Sequence, residues 1–136
     1  MSDLTKDDRP RYRNLQLTQI LGYRLPAAGV ISILHRVSGA GLFLFLPFLL
    51  YLFHESLTSE LSFEIFRGLL RAWYVKIILV GLSWAYLHHF CAGIRHLFLD
   101  VHVGLTKDSA RHTALAVFAI SLPLALLVAL KIFGAF

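Results

Sequence analysis

Apolar positions along the chain gather into three long runs separated by short polar stretches. The first run extends from Ala27 to about Phe53, the second from about Ala72 to Leu99, and the third from about Thr113 to Phe136. Each exceeds the roughly 20 mostly apolar residues that an α-helix needs to cross a bilayer. The pattern predicts an all-α membrane protein with three transmembrane helices. Gly39, Gly41, Pro47, Gly81, Gly93 and Pro123 fall inside these runs. They are tolerated in lipid, where neighbouring groups satisfy the freed backbone. Between the first two runs, Leu57, Leu61, Phe63, Ile65, Phe66, Leu69 and Leu70 alternate with polar residues. That spacing fits a helix lying in the membrane interface, with an ordinary connecting loop as the alternative.

Composition strengthens this reading. Of 136 residues, 57% are hydrophobic and only 15% are charged, against about 25% charged in soluble domains. A soluble domain of this length has too little interior to hide so much apolar side chain. The net charge of +5 does not point to nucleic acid, because the basic residues bracket apolar runs and form no continuous stripe. A single cysteine, Cys91, excludes a disulfide scaffold and a CxxC metal site. The chain divides into a polar N-terminal segment, 1–26, and a membrane domain, 27–136. The segment carries Lys6, Arg9, Arg11, Arg13 and Arg24, and the second connection carries Lys107 and Arg111. The positive-inside rule therefore places the N-terminus and the second connection in the cytoplasm. No Arg/Ser-rich transit peptide precedes the first span, so a bacterial cytoplasmic membrane is expected rather than a mitochondrial inner membrane.

The informative residues are polar ones inside the spans. Ionisable groups in hydrocarbon cost about 2.5 kcal/mol or more each, so they normally face a bundle interior and act there. In the first span, Ser32, His35, Arg36 and Gly39 share one helical face at i, i+3, i+4 and i+7. In the second, His89, Gly93, His96 and Asp100 do so at i, i+4, i+7 and i+11. His88 and Arg95 lie on an adjoining face. Neutral imidazole is a good iron ligand, and a helical histidine inside a bundle is a common way to hold haem. Gly93 omits a side chain where a flat macrocycle would approach the backbone. Arg95 and His96, nearer water, suit the propionates. His35 and His89 lie at similar depths. Two histidines of this chain on one haem, or a second ligand from a partner, are both compatible with the spacing.

Two runs carry a family resemblance. Ser32-Ile33-Leu34-His35-Arg36-Val37-Ser38-Gly39 resembles the SxxHRxSG signature of the large cytochrome b subunit of succinate dehydrogenase (complex II). The run from His89 through Gly93, Arg95, His96 and Leu97 to Asp100 resembles that family's HxxxGxRHLxxD signature. Arg9-Pro10 and Tyr23-Arg24-Leu25-Pro26 are similar to its N-terminal landmarks. The resemblance implies that His89 is the axial ligand of haem b, with His88 as the neighbouring alternative, and that a small membrane-anchor subunit supplies the other axial histidine. It implies that His35, Arg36 and His96, and more weakly Arg95, surround the propionates. Ser32 and Arg36 would help form a ubiquinone site completed by the small anchor and the iron–sulfur subunit. A flavoprotein subunit would oxidise succinate, and Asp100 is a candidate proton relay. The chain is then one part of a heteromeric helical bundle in the lipid bilayer, with no activity when isolated. The rival readings are a quinol:fumarate reductase anchor and a haem-free structural anchor.

Overall fold

A computed structural model describes residues 25–134. Four helices occur among them: α1, Ala27–Thr58; α2, Glu60–Arg71; α3, Trp73–Asp100; and α4, Lys107–Ile132. No strand is present among the described residues. Helices α1, α3 and α4 are long and apolar enough to cross a membrane. At ~1.5 Å per residue, their 32, 28 and 26 residues exceed the hydrocarbon core of ~30 Å, so each helix projects beyond it. Lys6, Arg9, Arg11, Arg13 and Arg24, which bear on the orientation, lie outside the described residues.

Local chemistry sets the helix ends. Pro26 stands before α1, its fixed φ of −65° leading into the helix. Its carbonyl accepts from the Gly29 and Val30 amides at 2.9 and 3.1 Å. The apolar pattern stops near Phe53, yet α1 continues to Thr58. The hydroxyls of Ser56 and Thr58 bond back to the carbonyls of Phe53 and His54, which satisfies these polar side chains within the last turns of the helix. The stretch after it is helical and not a loop. Ser59 and Ser62 form a capping box at the start of α2. The Ser62 hydroxyl also donates to Glu55 O at 2.8 Å, which ties α2 to the end of α1. Leu61 and Ile65 of α2 remain exposed, as an interfacial helix requires.

Helix α3 ends in a Schellman arrangement. The Val103 amide reaches Phe98 O at 2.9 Å and the His102 amide reaches Leu99 O at 3.0 Å. His102 takes the left-handed position, with φ of 62°, that glycine usually fills. The last helix differs from the extent read in the sequence. It begins at Lys107, well before Thr113, because the Thr106 hydroxyl caps it by accepting from the Ser109 amide. It stops at Ile132, followed by Gly134 at φ 77°.

The short connections make the three long helices run up, down and up, with α3 packed on both α1 and α4. Their common core is small: Ile31, Ala92, Ala114 and Val117. Alanines at these contacts let the backbones approach closely, the usual basis of helix association in lipid. Most large apolar side chains point outward, including Phe43 and Leu44 at 75% and 74% exposure. That surface suits lipid tails or partner helices and would be a liability in water.

Candidate functional site

The two polar stripes meet where α1 crosses α3. The His35 ring stacks on the His89 ring, with centroids 4.1 Å apart and planes 9° from parallel. His96 lies against His35 from below, at 4.9 Å and 47°. His89 Nδ1 lies 3.0 Å from the carbonyl oxygen of His35. A carbonyl only accepts, so Nδ1 carries the proton in this contact and Nε2 presents its lone pair. Metal-binding histidines are commonly oriented by this kind of bond from the non-ligating nitrogen. The buried Ser38 hydroxyl donates to the same carbonyl at 3.0 Å and lies 3.3 Å from His89 Nδ1. Gly39 completes the seat. A Cβ there would stand 2.7 Å from His89 Cε1.

Gly93 behaves differently. A Cβ on it would meet only His35 Nε2, at 3.5 Å, which is ordinary contact. The missing side chain thus leaves space beside the histidines and does not relieve a clash inside the chain. Ser32 and Arg36 lie one turn apart, with Arg36 Nη2 donating to Ser32 Oγ at 3.2 Å. Arg36 is exposed on the chain surface. With its oxygen occupied by that donor, the Ser32 hydroxyl proton is free to point outward. Asp100 is exposed at the last residue of α3, at the same end of the molecule as the start of α1.

The adjacent histidines face opposite ways. His88 is fully buried between α3 and α4, its ring 5.4 Å from that of Trp84 and 5.6 Å from that of Phe118. Neither of its ring nitrogens has a hydrogen-bond partner among the described residues. It has no open face toward α1. Arg95 also turns toward α4 and does not join the histidine cluster. Its Nε donates to Thr113 Oγ1 at 3.1 Å and its Nη2 to Ala110 O at 3.4 Å. The arrangement therefore brings His35, His89 and His96 together, flanks them with Gly93, and leaves Arg95 on the other side of α3. Ser38, which sequence reading did not single out, is the added member. Its sequence signal is its place as the second serine of the Ser32–Gly39 run.

The chemistry of this donor set fits an iron porphyrin. One half-buried imidazole is oriented by a carbonyl, its Nε2 lone pair is free, and two further histidines stand beside it. Among the described residues no group of three metal-ligating side chains could hold a bare metal ion.

Comparison with known proteins gives a consistent result. The family model described as succinate dehydrogenase/fumarate reductase transmembrane subunit matches residues 5–128. The chain is 34% identical over 133 residues to the succinate dehydrogenase cytochrome b556 subunit of Paracoccus denitrificans, covering 98% of each chain. It is 36% identical over 109 residues to the subunit of the same name in Coxiella burnetii, covering 79% of this chain and 85% of the relative. For that of Rickettsia felis the identity is 32% over 107 residues, covering 77% and 82%.

Proposed function

Since this chain belongs to the succinate dehydrogenase/fumarate reductase transmembrane-subunit family, we propose that it is the haem b-bearing membrane anchor of a succinate:ubiquinone oxidoreductase. The observation that carries the reading is the orientation of His89, with Nδ1 tied to the His35 carbonyl and Nε2 free. Haem b, when bound, supplies a one-electron store beside the path from the iron–sulfur subunit to the quinone. His89 is the residue of this chain that would bind the haem iron, and a histidine of the small anchor subunit would complete the binding. His35 and His96, next to His89, and Arg36 would hold the propionates. Gly93 leaves room for the macrocycle.

The quinone site rests on Ser32 and Arg36. The Ser32 hydroxyl donates to a quinone carbonyl, its oxygen already accepting from Arg36. The Arg36 guanidinium stabilises negative charge developing on the quinone oxygens during reduction, an effect that is large where water is scarce. Asp100, at the watery end of α3, passes protons from the cytoplasm toward this site. The iron–sulfur and flavoprotein subunits dock on that side of a bacterial cytoplasmic membrane. Steady-state assay of the assembled complex tests the reading. Arg36→Leu should abolish succinate:ubiquinone reductase activity while succinate oxidation by a water-soluble artificial acceptor persists. Equal loss of both activities contradicts a quinone-site role.

A further inference from the structure

Arg95 opens a question that the redox site does not answer. It is 7% exposed, and its hydrogen-bond partners are a hydroxyl and a carbonyl, both neutral. The only ion pair among the described residues joins Arg67 and Glu64. A buried charge is ordinarily paired. Arg95 is also the one charged residue lining a groove of about 430 Å³ between α3 and α4. The rest of the lining is chiefly apolar: Ile94, Phe98, Leu99, Val117 and Ile120, with Ser109 and Thr113 toward the start of α4.

The dimensions match a lipid. From Ser109 to Ile120 the groove follows about 16 Å of helix at the usual rise per residue. One leaflet contributes half of a hydrocarbon core ~30 Å thick. The polar lining and the guanidinium lie at the end where α3 finishes and α4 begins, which is the headgroup end. The apolar lining continues inward from there. We propose that this groove holds one acyl chain of an anionic phospholipid, with its phosphate paired to Arg95. Arginine suits this role because its guanidinium matches phosphate geometry and remains charged when buried. The bound lipid then links α3 to α4 on the side of α3 away from the histidine cluster. It also supplies the negative charge that the described residues do not.

Native mass spectrometry of the whole complex tests this. The complex is stripped of lipid in detergent and then incubated with phosphatidylglycerol or phosphatidylcholine. The wild type should retain one phosphatidylglycerol per copy of this chain that phosphatidylcholine does not replace. Arg95→Gln keeps a hydrogen-bonding side chain but removes the charge, and should weaken that retention at least tenfold. Ala116→Phe fills the exposed groove lining while leaving the Arg95 charge in place, and should also weaken it at least tenfold, with the haem spectrum unchanged. Retention that ignores headgroup charge overturns the proposal, as does retention that survives both substitutions. A partner helix occupying the groove in the assembled complex also overturns it.

Discussion

Gly39→Ala is the sharpest perturbation of the seat beneath His89. A helix-interior Gly→Ala change ordinarily stabilises by up to about 1 kcal/mol, through lower backbone entropy in the unfolded chain. Here the new methyl would lie 2.7 Å from His89 Cε1, about 0.8 Å inside the near edge of favourable carbon–carbon separations. The imidazole cannot turn away freely, because His35 covers one face at 4.1 Å and the His35 carbonyl holds Nδ1 at 3.0 Å. Overpacking of this kind costs roughly 1–3 kcal/mol, enough to cancel the helix-propensity gain. More important, a displacement of about 0.8 Å exceeds the ~0.5 Å within which a ligand must be held for its chemistry. The expected result is a complex with reduced haem b content or a shifted reduced-minus-oxidised spectrum. Gly41→Ala is the control, because a Cβ there meets nothing within 4 Å in this chain. It should leave the spectrum and haem content unchanged. Spectra and haem content identical to wild type in Gly39→Ala would refute the argument that Gly39 positions His89.

Three further outcomes follow from the geometry. Thr113→Val removes the acceptor of Arg95 Nε and should lower the melting temperature of the complex, reflecting about 1–3 kcal/mol for an interrupted bond to a buried charged group; an unchanged melting temperature would mean that this contact is idle. Ser59→Ala deletes the N-cap of α2 and should cost ~1 kcal/mol locally. Faster amide exchange confined to the first turn of α2 is the measurement that checks it. His88→Phe preserves an aromatic ring against Trp84 and Phe118 while removing two buried nitrogens without partners, and should retain the haem spectrum.

Much of the fold was legible from hydrophobicity, because a membrane span must be long, apolar and helical. Helix ends were less legible. The start of α4 at Lys107 depends on a Thr106 hydroxyl reaching the Ser109 amide, a local contact that carries no hydropathy signal. The end of α3 rests on His102 adopting a backbone conformation usually given to glycine. In the site, helical spacing brought His89, Gly93 and His96 to one face, and that face meets His35. Spacing alone left open which partner Arg95 would take. It lies 100° around the helix from its neighbour His96, and that rotation aims it at Thr113 on α4. The same rotation separates His88 from His89. Ser38 stands in the Ser32–Gly39 run but was given no role, because a serine in a membrane helix commonly bonds to its own preceding turn. Here it does so and also touches a histidine from another helix.

In the proposed function, His89 offers Nε2 to an iron that no other histidine of this chain serves. The most direct measurement is the reduced-minus-oxidised absorption spectrum of the purified whole complex carrying His89→Ala, beside the wild type. The account predicts a b-type signal in the wild type that is lost or strongly altered in the variant, with the partner subunits still co-purifying. An unaltered b-type signal in His89→Ala, or no haem signal in the wild type, would contradict it.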